Sequence, residues 1–337
     1  MKIISQGKGE LVGWHDPDEA RDWVLHNKAR ELKDKTTTVV QAVTDYVRDG
    51  DYIASGGFGA IRVSMSVVFE IIRHKRRNLI MAGKTAVHDL DLLVTSGCVD
   101  RVEVAYSFAH EMRGLSPGSR RMVETGKCRV ISEVSNAVYQ WRFLAGMMGV
   151  PFIPCRSLLG TDTLEYSSCR VVEDPFSGKP VTLVPAAYPD VAFIHVHRCD
   201  KYGNAQIDGI AIEDIELARC ARRLIITTEE LVDNDVIRDE PWKTTIPYLV
   251  VDAVVKVPYG SHPGQMPYLY YFDEEHIAEW LEASRSQEGA DRYLDKYVFS
   301  VSSFDDYLEL CGGLNKIEYI KRREKFLEPM ISPWRKK

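Results

Sequence analysis

The chain has no run approaching the eighteen or so consecutive apolar residues that a membrane-spanning helix needs. Its opening, MKIISQGKGELVGW, lacks the charged start and long apolar stretch of an export signal. It also has no C-x-x-C pair. The seven cysteines (Cys98, Cys128, Cys155, Cys169, Cys199, Cys220, Cys311) are odd in number and widely scattered, which argues against a disulfide framework and a zinc ribbon. Nor is there a surplus of positive charge: 43 Lys and Arg face 49 Asp and Glu, a net charge of −6. Broad binding to nucleic acid or to an anionic membrane needs the opposite balance on one face. No internal repeat or low-complexity linker is present. These absences predict a soluble cytoplasmic protein with reduced thiols, in which any anionic ligand is met locally.

The apolar fraction of 45% is enough for a large core. Residues 1–35 read as an N-terminal extension in which Asp16 caps a charged helix through Ala20, Trp23, Val24 and Leu32. From Thr36 the pattern alternates regularly. TTTVVQAVTDYVRDG reads as an amphipathic helix stopped at Gly50, DYIAS as a buried strand, and Ser64 to Arg73 as a helix. NLIMAG, RVEVAYS, CRVIS and PFIPC follow as strands, with helices at HDLDLLVTSG, SRRMVETG and Ser135 to Met148 between them. Such a βαβα succession predicts an open, mostly parallel α/β sheet with helices on both faces. Leu159 to Val184 breaks the rhythm and reads as an excursion or small hairpin. VAFIHVH, EDIELARCA and RRLIITTEEL then restore the alternation. The expected division is 1–35, an α/β domain over 36–272, and a C-terminal helical coat over 273–337.

The loop in IASGGFGAIRVS carries the most chemistry. Ligands of parallel α/β sheets bind outside the carboxyl ends of strands, where Gly56, Gly57 and Gly59 follow DYIAS. Glycines there can present backbone N–H groups to an anion or a developing oxyanion, because no Cβ blocks the approach. A dinucleotide fingerprint fails, since Arg62 stands where a third glycine or alanine is required. Taken alone, the loop favours a tight strand-to-helix turn without chemistry.

Several stretches occur together in one order over about residues 36 to 310: GDYIASGGFG, GVPFIPC, HVHRCDKYGNAQIDG, TTEELVDNDVIR and VDAVVKVPYGSHPGQMPYLYYFD. With them the chain resembles the alpha subunit of glutaconate-type family I coenzyme A transferases. The resemblance implies ping-pong acyl transfer from an acyl-CoA to a carboxylic acid through a glutamyl-CoA thioester. It places the nucleophilic glutamate on a beta subunit, so the expected state is a hetero-oligomer. CoA thioester is then a substrate, with no bound cofactor and no metal. Gly56, Gly57, Phe58 and Gly59 would contact the oxyanion or carboxylate, with Arg62, Ser135, Asn136 and His262 as further substrate contacts. The first 35 residues fall outside the resemblance. A related ring-cleaving hydrolase of steroid catabolism carries a working glutamate where this chain has Asn136, and decarboxylases share the architecture.

Four other features have competing readings. Glu133 follows a strand end, where a catalytic carboxylate belongs, yet it equally favours the positive end of the next helix beside Ser132 or Ser135. His195, His197 and Cys199 alternate along one strand and could share a face as metal ligands, the basis of a rival metal-dependent hydrolase. His262, in PYGSHPGQ, reads as a pocket-rim residue or as a brace for its own loop. The basic run Arg73 to Arg77 complements a helix dipole, with docking of a CoA phosphate as the alternative. A non-catalytic partner of the same fold also fits, because the nucleophile is absent in either case.

Overall fold

The structure, a computed structural model, describes residues 2–326. The described residues form thirteen strands: β1 (Ile3–Gln6), β2 (Tyr52–Ser55), β3 (Leu79–Lys84), β4 (Val99–Ala105), β5 (Arg129–Glu133), β6 (Phe152–Cys155), β7 (Arg170–Glu173), β8 (Pro180–Pro185), β9 (Val191–Asp200), β10 (Ala205–Gln206), β11 (Arg223–Val232), β12 (Thr244–Ile246) and β13 (Ala253–Lys256). The large sheet runs β5-β4-β3-β2-β9-β11-β13 with every pairing parallel. Short β10 pairs antiparallel with the upper part of β9 and carries β12. Strands buried on both faces need continuous apolar runs, which β9 and β11 supply over most of their length.

One apolar cluster lies on each side of the sheet. On the first, helices Val39–Tyr46, Met65–Arg73 and His88–Thr95 pack beneath the C-terminal helices. Trp280 anchors that coat: it is fully buried, and its indole N–H donates to Asp91 Oδ2 at 2.6 Å, which satisfies the polar end of a large apolar side chain. The coat extends through Gly313–Glu324, and the expected helix beyond residue 326 lies outside the described residues. On the second side, helices Asn136–Met148 and Asp214–Cys220 pack on the sheet. Among the described residues no helix is long and apolar enough to cross a membrane.

Two expectations change. PFIPC does not join the parallel sheet: as β6 it pairs antiparallel with β8 in a separate four-stranded sheet, β1-β7-β8-β6. Its four residues are only half-buried or exposed, so they lack the two-sided burial of a parallel strand. The excursion is also more than a hairpin, because β7 and β8 form the middle of that sheet and are preceded by a helix at Asp162–Tyr166.

The N-terminal segment is stitched in rather than appended. β1 pairs with β7, and Arg142 ties the region to the core by donating to Val12 O at 2.6 Å while its guanidinium pairs with buried Glu103. Helix Pro17–Asn27 starts at its Asp16 cap and buries only Ala20. It is held instead by polar contacts, with Arg223 stacked on the Trp23 ring at 4.8 Å and buried Lys28 bonded to Val250 O at 2.7 Å. At the basic run, Arg73 pairs with buried Glu70 and the His74 ring lies against the same carboxylate, so this helix end is tied within the protein.

Candidate active site

Backbone conformation marks the carboxyl edge of the parallel sheet. Arg62 after β2, Thr85 after β3, and Tyr106 and Phe108 after β4 all have positive φ. Non-glycine residues are held there at a cost, and such positions gather at functional edges. Between these turns lies a narrow cleft lined by Ser55, the glycine loop, Lys84, Thr85 and Asp89, with a volume of about 10 Å³. That is room for about one water. Two hollows of about 430 and 440 Å³ exist elsewhere, and neither touches the glycine loop.

The glycine loop is clamped from below. Gly57 has φ +83°, and a Cβ there would meet Ile61 O at 2.3 Å, so only glycine fits. Three loop amides already have acceptors: Gly56 N–H donates to Phe193 O at 2.9 Å, Gly57 N–H to Asp214 Oδ1 at 2.9 Å, and Phe58 N–H to Ile61 O at 2.9 Å. Three of the four expected loop contacts, Gly56, Gly57 and Phe58, therefore spend their amides on shaping the turn. Arg62, expected to touch substrate, lies under the loop at 2% exposure. Its Nη2 donates to Asp214 Oδ2 at 2.9 Å and to Ile210 O at 2.9 Å. A buried guanidinium needs such a partner, and in finding one Arg62 joins the loop to the start of helix Asp214–Cys220.

The cleft's charged groups come from elsewhere. Lys84, the last residue of β3, is nearly buried and pairs with Glu213, with its ammonium 5.9 Å from the centre of the Phe58 ring. Burial raises the Glu213 carboxyl to about 7 although Lys84 opposes the shift. Burial likewise raises Asp89 to about 6, against hydrogen bonds from the Leu90 amide and the Ser55 side chain. Sequence reasoning passed over these residues. Lys84 is a charge at the carboxyl end of an apolar strand, a usable signal, whereas Glu213 and Asp214 look like ordinary helix-start acids.

Other expected residues fall in several places. Ser135 caps its helix by accepting from Val138 N–H at 3.3 Å. Asn136 is exposed at the mouth of the cleft, its Nδ2 3.5 Å from Thr85 Oγ1. Glu133 is exposed at the end of β5. His262 is not on a rim: it is fully buried, with Nδ1 2.7 Å from Tyr307 Oη and Nε2 3.2 Å from Asp273 Oδ2, and it braces its loop against the C-terminal coat.

The proposed metal face is saturated by the protein. His195 sits between Thr227 Oγ1 and Glu229 Oε1, each at 2.8 Å. His197 Nδ1 accepts from Asp208 N–H at 3.0 Å while Nε2 lies 3.0 Å from Pro267 O, and burial lowers its pKa. Burial also holds the Cys199 thiol well above its ordinary value, which disfavours the thiolate a metal requires. Among the described residues no group of three or more His, Cys, Asp or Glu can hold a metal ion.

A parallel α/β sheet with a clamped glycine turn and buried charges at its carboxyl edge sets the candidate site where ligands of this fold class bind. The chain belongs to the coenzyme A transferase family, whose model it matches over residues 36–257. It is similar to the A-type subunit of glutaconate CoA-transferase from Acidaminococcus fermentans, with 31% identity over 301 residues, covering 84% of this chain and 93% of that one. The crystal structure of that enzyme matches with a TM-score of 0.80, covering 85% of this chain and 95% of the other. The A-type subunit of 3-oxoadipate CoA-transferase from Pseudomonas knackmussii is 30% identical over 80% of this chain and 95% of its own length. The crystal structure of the decarboxylase AibA/AibB matches at 30% identity with a TM-score of 0.69, over 77% of this chain and 99% of that one. The IpdA subunit of a cholesterol ring-cleaving hydrolase from Rhodococcus jostii is 26% identical over 82% of this chain and 95% of its own.

Proposed function

We propose that this chain is the alpha subunit of a two-subunit cytoplasmic CoA-transferase, with its nucleophilic glutamate on a beta subunit. Residues 36–272 form the transferase unit, flanked by the additions at either end. The observation that carries the reading is the state of the cleft's own carboxylates. Asp89, Glu213 and Asp214 are all buried, and each is already engaged within the chain. None is presented for attack on a thioester, and the cleft of about 10 Å³ cannot enclose an acyl group. A second surface completes it.

In that complex the partner's glutamate attacks the thioester carbonyl, the C–S bond breaks, and CoA thiolate leaves an acyl-glutamyl anhydride. The thiolate then attacks the glutamyl carbonyl and releases the first acid as a carboxylate. The acceptor acid reverses both steps. This chain walls the acyl group with its rigid glycine loop and Asn136. Exposed apolar side chains surround the same edge, among them Met112 (76% exposed), Tyr106, Ile210 (79% exposed) and Tyr268. Such a patch is suited to a protein partner.

The likenesses to a decarboxylase and a ring-cleaving hydrolase support a second reading of the same cleft, although Asn136 stands where the hydrolase has its glutamate; separately, Glu133, exposed at a strand end, is the rival nucleophile within this chain. One experiment separates the two. The chain co-expressed with a beta-type partner is assayed for acyl transfer from acyl-CoA to acetate, and the chain alone is assayed beside it. Transfer by the complex and none by the chain is the expected result. Transfer by the chain alone, or loss of the complex's activity in Glu133→Gln, overturns the division of labour.

A further inference from the structure

An ammonium group has three hydrogens to place. Buried Lys84 places one on Glu213, and no other acceptor among the described residues reaches it. Its side chain is only 5% exposed, so bulk water is largely excluded, and the cleft it lines has room for about one water. A nearly buried cation with one protein acceptor, set at the carboxyl end of β3 beside the glycine loop, is suited to receive an anion. The clamped loop strengthens the case, since three of its amides are committed to the fold. Arg62 pairs with Asp214 through Nη2 and leaves Nη1 without a partner, but it lies beneath the loop and does not line the cleft. Lys84 is the cation that does.

We propose that Lys84 holds the carboxylate of the acid that enters this half-site, and that Glu213 is the counter-ion it gives up. This rests on the transferase reading and names the group that recognises the acceptor. When a second carboxylate reaches Lys84, two negative charges compete for one positive charge, and the cheaper state protonates one of them. Glu213 is the group placed to take the proton. Around it lie Lys84 from β3, Asp214 next in sequence, Asp89 across the cleft, and the Tyr139 hydroxyl on helix Asn136–Met148. Arg62 neutralises Asp214, so the charge closest to Glu213 without another partner is Lys84 itself. Burial already holds Glu213 at about 7, so little work is needed to complete its protonation near neutral pH. The outcome is a carboxylate site that binds its ligand together with a proton.

The test uses the chain in complex with its beta-type partner, glutarate as a probe that is unreactive without acyl-CoA, and titration calorimetry at several pH values. Lys84→Met alone strands Glu213 in the interior, so the diagnostic variant is the double Lys84→Met/Glu213→Gln, whose melting curve must match wild type. Loss of the buried cation should weaken glutarate binding by about thirtyfold or more. Wild-type affinity should be flat below about pH 7 and fall by up to about tenfold per unit above it, as Glu213 ionises in the free protein. Glu213→Gln should bind at least as tightly as wild type and lose this pH dependence, which a merely structural pair would not do. A normally assembled double-variant complex that binds glutarate like wild type overturns the proposal, as does a wild-type complex that fails to bind it. Failure of the transferase reading is read elsewhere: the complex would bind glutarate with the predicted pH profile and yet transfer no acyl group.

Discussion

Replacing Asp214 by alanine removes the pin that holds the glycine loop, and the structure gives the scale of the damage. Both carboxylate oxygens work: Oδ1 accepts the Gly57 amide and Oδ2 the Arg62 guanidinium, each at 2.9 Å. Arg62 would remain at 2% exposure with the Ile210 carbonyl as its acceptor, and its Nη1 already lacks a partner. Stranding one member of a buried ion pair costs about 3–5 kcal/mol, a range that overlaps the cost of the orphaned Gly57 amide. At about 2 °C per kcal/mol, the lower end for larger domains, the melting temperature should fall by about 6–10 °C. Asp214→Asn keeps an acceptor for Gly57 and should lose less. Arg62→Met added to Asp214→Ala removes the stranded charge and should recover part of the stability, a coupling that independent sites would not show. Circular dichroism during heating and urea unfolding measure the three variants. If Asp214→Ala melts with wild type, or if the second substitution worsens it by its full independent cost, the buried pair does not hold the loop.

Three further outcomes follow from other parts of the molecule. Burial holds His110 at about 3, below its ordinary value, so it stays neutral in the folded protein while the unfolded chain protonates near pH 6.5. Stability from this residue is therefore present above that pH and lost as pH falls, by about 1.4 kcal/mol between pH 7.5 and 5.5. In urea titrations, the stability advantage of wild type over His110→Leu should shrink by that amount, and an unchanged difference would refute the assignment. Exhaustive chelation should leave the melting temperature unchanged, because the ring nitrogens of His195 and His197 are occupied by protein partners. A chelator-induced drop restored by one metal would return those residues to the mechanism. Deleting residues 2–8 exposes the β7 edge that β1 covers, and unpaired edges recruit other strands. Light scattering should then show association, and a monodisperse variant with unchanged stability would show β1 to be dispensable.

Much of the fold was legible in local pattern. Buried parallel strands such as VAFIHVH and RRLIITTEEL must be apolar along their length, and the helices between them carry their own caps and glycine stops. The glycine loop was legible too, because the conformation at Gly57 excludes a side chain and therefore leaves a mark in the sequence. The family resemblance, carried by stretches in a fixed order, holds. What local pattern could not decide was partnership across distance. β6 has the composition of a sheet strand, but only the positions of β8 and β7 put it in the second sheet. His262 looks the same in sequence whether it faces a pocket or Tyr307, 45 residues away. Arg62 and Lys84 are both cations beside a strand end. Asp214 lies 152 residues from one and claims it for the fold, whereas Glu213 leaves two hydrogens of the other without an acceptor among the described residues. Sequence by itself determines which segments must be buried and which turns need glycine, since these follow from near neighbours and their periodicity. Which charge is spent on structure and which is left for chemistry depends on desolvation by residues remote in the chain, and only the tertiary structure brings those together.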